Sequence, residues 1–162
     1  MSLSVLITGG AGFIGSSLAL SLLDAGHTVY SLDNFNDFYN PQLKRHNVDR
    51  CSEFSNFNSI EGDIRDRDCL ETVFQTKFDM VIHLAAMAGV RPSIQDPQLY
   101  YDVNIQGTFN ILDFSSKAGI SKVILASSSS VYGNNETVPF SETDFVDHPI
   151  SPYAATKKMN EV

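Results

Sequence analysis

The chain has 162 residues, of which 43% are hydrophobic and 19% are charged, and its net charge at pH 7 is −8. That length and composition are typical of one globular domain that buries a sizeable core. A nucleic-acid-binding surface is excluded, because an acidic chain without a basic stripe has too few cations to neutralise phosphates.

The absence of several sequence signals restricts the class of protein and its cellular compartment. Cys51 and Cys69 have no cysteine or histidine partners at metal-ligand spacing, so they predict neither a disulfide framework nor a metal site. No signal peptide and no membrane-spanning run is recognisable. We therefore expect a protein of the reducing cytoplasm. The short basic cluster Lys44-Arg45-His46 is interpreted as a solvated face.

Predicted strands alternate with predicted helices along the chain. Apolar runs predict strands at residues 5–8, 28–32, 57–61, 80–84 and 122–127. Helical patterns occupy residues 12–25, 40–51, 66–75, 97–118 and a last segment from Pro152 onward. This alternation predicts an α/β fold, a doubly wound parallel sheet with strand order 3-2-1-4-5. Ligands of such a sheet bind beyond the carboxyl ends of the strands, where the strand order reverses.

The first predicted strand runs into a glycine-rich turn. Gly9, Gly12 and Gly15 stand between an apolar run and a helical pattern, and Gly10 offers a second register of the same motif. Glycines let a backbone turn sharply and approach a pyrophosphate, and the N-terminus of the following helix offers unpaired N–H groups to the phosphates. The strand–turn–helix context therefore predicts a dinucleotide site.

An acidic residue closes the second predicted strand. Asp33 follows the glycines at roughly the 20-residue spacing of a carboxylate that binds the ribose 2′-hydroxyl of a dinucleotide. Because a 2′-phosphate would meet the negative charge of Asp33, we expect NAD rather than NADP.

Two polar patterns follow in the last third of the chain. The serines Ser127-Ser128-Ser129-Ser130 end the fifth predicted strand, as backbone-bonded turn residues or as hydroxyls that bind a substrate oxygen. Tyr153 and Lys157 are four residues apart and share one face of the last predicted helix. A lysine ammonium beside a tyrosine stabilises the phenolate, which a general base needs. The same pair also fits an exposed helix face. The catalytic interpretation of the pair therefore depends on the glycine and serine motifs that accompany it.

These motifs together resemble the extended short-chain dehydrogenase/reductases, which are NAD-dependent nucleotide-sugar epimerases and dehydratases. The resemblance is carried by Thr8-Gly9-x-x-Gly12-x-x-Gly15, Gly62-Asp63-Ile64-Arg65-Asp66, residues 127–133 and Tyr153-x-x-x-Lys157. Residues 33–41, 85–91 and 151–158 are similar, more narrowly, to the UDP-glucuronate 4-epimerases. The resemblance covers essentially the whole chain, but only the N-terminal half of such an enzyme.

The resemblance implies a role for each residue of the motifs. The glycines would hold the pyrophosphate, Asp33 the adenosine ribose, and Asp63 with Ile64 would border the adenine. The implied cofactor-binding residues are Gly9, Gly12, Phe13, Ile14, Gly15, Asp33, Asn34, Asp63, Ile64, Leu84, Ala85, Ala86, Asn104, Tyr153 and Lys157. The implied catalytic residues are Ser128, Tyr153 as the base and Lys157, and the implied substrate contacts are Arg91, Ser128, Ser129 and Ser130.

The implied reaction is 4-epimerisation of a UDP-sugar, UDP-glucuronate or UDP-galacturonate, through a 4-keto intermediate. The sugar 4,6-dehydratases of the same family carry an Asp-Glu pair where this chain has Ser129 and Ser130. Since elimination of water uses that pair, epimerisation is favoured, and another epimerase or a 4,6-dehydratase remains the alternative.

The length of the chain leads to further expectations. Residues 1–162 would form one NAD-binding Rossmann domain that ends after the Tyr-x-x-x-Lys helix, without the C-terminal substrate domain. We expect such a chain to be inactive alone, because the uridine nucleotide contacts lie in the other half of the family's enzymes. A stand-alone NAD-binding regulatory module is the alternative of another class. The family also implies a homodimer through the helices predicted at residues 97–118 and 152–162.

Overall fold

The five strands of the chain form a single parallel sheet. The computed structural model describes residues 1–162. Its strands are β1 (Ser4–Thr8), β2 (Thr28–Asp33), β3 (Phe57–Glu61), β4 (Met80–His83) and β5 (Val123–Leu125). All four strand pairs are parallel, in the order β3-β2-β1-β4-β5. The predicted α/β class and the predicted strand order are confirmed.

Helices connect the strands, and further helices follow the last strand in the chain. The α-helices are α1 (Phe13–Asp24), α2 (Pro41–Cys51), α3 (Arg67–Val73), α4 (Val90–Gln95), α5 (Pro97–Tyr100), α6 (Thr108–Lys117) and α7 (Pro152–Met159). A π-helical turn (Tyr101–Gly107) lies between α5 and α6, and a 3₁₀-helix (Ser129–Tyr132) follows β5.

The central strand positions the turn that follows it. Val5, Leu6 and Ile7 are at most 1% exposed, as expected for a parallel strand that is covered on both faces. Thr8, the last residue of β1, lies opposite Leu32 of β2 and opposite a residue of β4. The carboxyl ends of these three strands therefore meet at one edge of the sheet.

Side-chain caps explain where several helices begin. Asn40 accepts a hydrogen bond from a first-turn amide of α2, and Pro41 occupies the first helical position. Ser151 and Pro152 do the same at α7, and Asp66 caps α3. Proline and a short polar side chain suit these positions because the first-turn N–H groups lack helical partners.

The helix predicted at residues 97–118 is interrupted. Its middle is a π-helical turn, in which the Asn104 carbonyl accepts hydrogen bonds from Thr108 Oγ1 at 2.6 Å and from Asn160 Nδ2 at 3.0 Å. The strand predicted at residues 122–127 is also shorter, and the carbonyl of Ala126 accepts a bond from Lys157 Nζ at 2.8 Å. Periodicity reveals neither feature, since both rest on contacts with side chains distant in sequence.

The chain divides into two compact units. The first comprises Met1–Ala85 with Phe109–Leu125 and contains the whole sheet. The second comprises Ala86–Thr108 with Ala126–Val162, and in it α7 packs against α4, α5, the π-helical turn and the 3₁₀-helix. The single NAD-binding domain predicted from the sequence stays a prediction. None of the helices combines the length and the apolarity that crossing a membrane would require.

Candidate functional site

The glycine-rich turn of the first unit is closely packed. Gly9 has φ +70°, its N–H donates to the Leu32 carbonyl at 2.7 Å, and a Cβ there would lie 2.8 Å from the backbone nitrogen of Ala85. A Cβ on Gly15 would collide with the Gly9 carbonyl. Only glycine fits these two positions, so the turn brings bare backbone to the carboxyl edge of the sheet.

The N-terminus of α1 is open to solvent beside this turn. Gly12 caps the helix without a side-chain hydrogen bond. Phe13 is 82% exposed and Ile14 is 67% exposed. The amides of a first helical turn have no partners within the helix, and they carry the positive end of its dipole. The arrangement suits a bound phosphate.

Asp33 ends β2 almost completely buried. Its Oδ2 accepts from the Ala11 amide at 3.2 Å, and its Oδ1 accepts from the Phe35 amide at 2.9 Å. Oδ1 also receives a hydrogen bond from Lys44 Nζ at 3.0 Å, which makes a buried ion pair. The interpretation of Lys44 as part of a solvated face is wrong, because α2 turns this side chain inward against the carboxylate.

The loop after β2 is built from consecutive side-chain turns. Asn34 and Asn36 each accept a hydrogen bond from the amide two residues on, as Asp33 does. Between them Phe35 has φ +49°, and the Arg45 guanidinium lies 3.6 Å from the centre of its ring. A non-glycine residue in this left-handed conformation needs such support, because the conformation is strained.

Asp63 and Ile64 follow β3. Asp63 is held ionised mainly by its hydrogen bonds to the Arg65 side chain, which lower the pKa of Asp63 to about 2 against the opposing effect of burial. The amide of Asn34 also donates to Asp63, at 3.0 Å. The structure therefore joins two of the predicted cofactor-binding residues directly. Ile64 is buried, and its carbonyl accepts from Asn110 Nδ2 at 3.0 Å.

The end of β4 is tied to the end of β1. The Leu84 amide donates to the Thr8 carbonyl at 3.0 Å, and the Ala85 amide donates to Thr8 Oγ1 at 3.2 Å. His83 Nδ1 lies 2.6 Å from the same hydroxyl. The sequence analysis named Thr8 only as part of the glycine motif and did not single out His83, although a polar residue in an apolar strand was a visible signal.

In the second unit, Asn104 holds the chain that follows Ala86. Its Oδ1 accepts from the Met87 amide at 2.8 Å, and its Nδ2 donates to the Met87 carbonyl and to Thr156 Oγ1, both at 3.0 Å. Asn104 has no exposed surface. Both amide hydrogens are therefore used within the protein, and Asn104 shapes the backbone at Met87.

Tyr100 is a residue that the sequence analysis did not single out. It is 1% exposed, and its hydroxyl donates to the Ala88 carbonyl at 2.5 Å. Its ring meets that of Tyr153 edge to face, with the ring centres 6.1 Å apart. Burial is the main cause that raises the pKa of Tyr100. Tyr100 therefore supports the predicted base from a neighbouring helix, as Asn104 supports Met87.

The four serines have different environments. Ser128 caps the 3₁₀-helix, where its Oγ accepts from the Ser130 amide at 3.1 Å. Ser127 is exposed and donates to the carboxylate of Glu161. Ser129 is exposed and Ser130 is partly buried. The backbone-bonded interpretation thus fits Ser128 in part, while its hydroxyl hydrogen stays available to a ligand oxygen.

Tyr153 and Lys157 occupy successive turns of α7, as predicted. The Lys157 side chain is buried, and its ammonium donates to the carbonyl of Ala126 at 2.8 Å. Burial lowers the pKa of Lys157, and no carboxylate forms an ion pair with it. An ammonium held in this way has further N–H donors to offer, to a phenolate or to sugar hydroxyls. Arg91 lies apart from these groups in sequence, exposed in the first turn of α4.

Comparison with known proteins identifies the family of the chain. Residues 6–162 match the family described as GDP-mannose 4,6 dehydratase. The chain is 48% identical over 161 residues to UDP-glucuronate 4-epimerase 1 of Arabidopsis thaliana, covering 98% of this chain and 37% of that protein. It is 47% identical over 161 residues to protein CapI of Staphylococcus aureus, covering 99% of this chain and 48% of that protein.

A solved structure shares the same fold. The UDP-glucuronic acid 4-epimerase of Bacillus cereus, determined with UDP-glucuronic acid and NAD, superposes with a TM-score of 0.90 at 37% identity. The match covers 98% of this chain and 50% of that chain. This chain thus spans half or less of the length of the proteins that it matches here. The chain belongs to the family described as GDP-mannose 4,6 dehydratase, among the epimerases and dehydratases that its motifs indicate.

Proposed function

We propose that the chain supplies the NAD-binding part of a nucleotide-sugar 4-epimerase of the UDP-glucuronate type. The observation that carries the proposal is the buried Lys157 ammonium, without a carboxylate partner, one turn from Tyr153 on α7. The relatives from Arabidopsis and Bacillus support this substrate class by their names. The proposal covers the predicted site residues and the single NAD-binding domain.

The first unit fits NAD on its own geometry. The backbone at Gly9 and Gly15 has room for no side chain, and the first turn of α1 offers amide donors to a pyrophosphate. Asp33 would accept from the adenosine ribose, and the pair formed by Asn34 and Asp63 would border the adenine. NAD held by these residues would supply reversible hydride transfer at the sugar C4.

The second unit would handle the proton. As phenolate, Tyr153 would accept the proton of the sugar C4 hydroxyl and later return it. Lys157 would stabilise the phenolate by its positive charge and bind the nicotinamide ribose. The Ser128 hydroxyl would hold the sugar oxygen in place. Ser129 and Ser130 offer no carboxyl group for removing water, which favours epimerisation over dehydration.

Thermal unfolding tests the cofactor. The chain would be melted with NAD⁺, with NADP⁺ and without either. A specific ligand at 100 times its Kd stabilises the folded state by about 2.7 kcal/mol. We expect a clear rise in Tm with NAD⁺ and little with NADP⁺. An unchanged Tm with NAD⁺ at millimolar concentration would contradict the proposal.

Turnover tests the reaction. We expect this chain alone to convert UDP-glucuronate to UDP-galacturonate far more slowly than about 1 s⁻¹, because it spans only part of its relatives. NMR of the sugar anomeric proton detects that slow conversion, and Tyr153→Phe should abolish it. Tight NAD binding, with Tyr153→Phe leaving the function of the chain unchanged, would favour a regulatory NAD-binding module. Conversion at enzyme-like rates would overturn the expected inactivity of the chain.

A further inference from the structure

Lys44 is a buried cation at the carboxylate that is proposed to bind the adenosine ribose. Its side chain is 10% exposed, and that of Asp33 is 6% exposed. The ammonium lies 3.0 Å from Asp33 Oδ1 and 5.4 Å from the centre of the Tyr39 ring. The next cation along α2, Arg45, is committed elsewhere by a bidentate bond to Glu61. Lys44 is therefore the cation that is hydrogen-bonded to this carboxylate.

The hydrogen bonds of Asp33 leave it little free capacity. Three donors already reach its two oxygens: the amides of Ala11 and Phe35, and the Lys44 ammonium. A carboxylate offers about four acceptor sites, so one site, on Oδ2, remains for a ligand. That capacity matches one ribose hydroxyl.

The ion pair changes how a 2′-phosphate would be rejected. The charges of Asp33 and Lys44 cancel, so simple repulsion by Asp33 is weak at this place. A phosphate would instead have to displace the carboxylate from a buried ammonium. Without the carboxylate, the ammonium would be left buried and unpaired, which is costly and which a phosphate oxygen would relieve.

Resting on the proposed NAD site, we infer that Lys44 is a masked ligand for a 2′-phosphate, and that Asp33 excludes NADP by occupying the Lys44 ammonium. Selectivity then depends on a pair of residues, one from the end of β2 and one from α2. The tyrosine and the asparagines of the intervening loop frame the pair without contributing charge.

The test measures dissociation constants for NAD⁺ and NADP⁺ by calorimetry on four chains: wild type, Asp33→Ala, Asp33→Ala/Lys44→Met and Asp33→Ala/Arg50→Met. Arg50 is the matched control, because it lies exposed on the same helix and its removal changes the net charge equally. Asp33→Ala should weaken NAD⁺ and tighten NADP⁺, each by about tenfold or more, the range of one charged hydrogen bond. The Arg50 variant should keep this gain for NADP⁺, and the Lys44 variant should lose it.

Equal NADP⁺ affinity in the two double variants would overturn the inference while leaving the proposed NAD site intact. Failure of the wild type to bind NAD⁺ would instead overturn the proposed function. If Asp33→Ala does not unfold cooperatively, Asp33→Asn replaces it in all three variants, since its amide oxygen still accepts from the Phe35 amide. The same comparison of Lys44 with Arg50 then decides.

Discussion

At the scale of single residues, Lys157 keeps its ammonium inside the protein with one carbonyl as its hydrogen-bond partner. Because burial lowers the pKa of Lys157, the unfolded chain binds more protons between that lowered pKa and the ordinary lysine pKa. The stability of the wild type relative to Lys157→Met should therefore rise with pH through this window. Below the lowered pKa, the cost of burying the charge should stay constant.

Thermal unfolding at about pH 7 and about pH 10 measures this effect, since ordinary lysines titrate near the upper value. Lys158→Met is the control, because Lys158 is the next residue of α7 and is partly exposed. A stability of the wild type relative to Lys157→Met that stays constant or falls with rising pH would contradict the burial of a charged ammonium.

A position can require glycine because its φ is positive or because a Cβ would meet a neighbour, and a comparison of Gly9 with Gly119 distinguishes these two causes. Gly9 and Gly119 both have φ +70°, but a Cβ on Gly119 would have no neighbour within 4 Å. Gly119→Ala should therefore cost about 1 kcal/mol of unfolding free energy for the backbone conformation alone. Gly9→Ala should cost at least twice as much, because its Cβ would press on the backbone of Ala85. Urea unfolding measures both, and equal losses would show that the turn yields easily.

At the scale of secondary-structure elements, the segment from Pro97 to Gly107 clamps the chain at residues 86–89. Asn104→Ala would leave the Met87 amide and carbonyl without partners in a buried place and should cost about 2–4 kcal/mol. Tyr100→Phe removes only the bond to the Ala88 carbonyl and should cost about 1 kcal/mol. Exposed Asn134→Ala is the control for Asn104. The ranking would be refuted if Tyr100→Phe proved the more damaging variant in urea unfolding.

The same elements show what the sequence could predict. Apolar runs and capping residues placed the five strands and most helix starts to within a residue or two, because these signals are local. The interruption at residues 101–107 and the helix α4 were not predicted. A π-helical turn depends on distant partners such as Asn160, and α4 is a short helix entered through Gly89 at φ +98°. Such features have no periodic signature.

At the scale of the whole molecule, a homodimer is our proposal for the assembly. On α6, Phe109 is 58% exposed and Leu112 is 39% exposed, one turn apart on a single face. Two large apolar side chains in water favour an interface. Phe109→Glu should lower the dimer fraction in light scattering, while Lys117→Glu at the end of the same helix should not. A monomeric wild type would refute the proposal.

The residue types of the candidate site could be predicted from the sequence, but the contacts between its elements could not. The glycine turn and the Tyr-x-x-x-Lys pair follow from spacing along one element, so the sequence displays them. The burial of Lys44 against Asp33 arises because α2 turns back on the glycine turn, where Asn47 Nδ2 binds the Ala11 carbonyl at 2.9 Å. Charge patterns along the chain do not reveal such tertiary contacts.

The two outer strands of the sheet, β3 and β5, differ in polarity, and this difference affects how the protein should aggregate. Strand β3 presents polar side chains, and its Glu61 is bound by Arg45. Strand β5 has only three residues, all aliphatic, and Ile124 is 52% exposed. Concentrated or warmed solutions should therefore aggregate through β5 rather than through β3, since exposed apolar outer strands template further strands. Turbidity should fall with Ile124→Lys and stay unchanged with Asn58→Lys. Solubility would then depend on whether strands of other molecules can add to the sheet at β5.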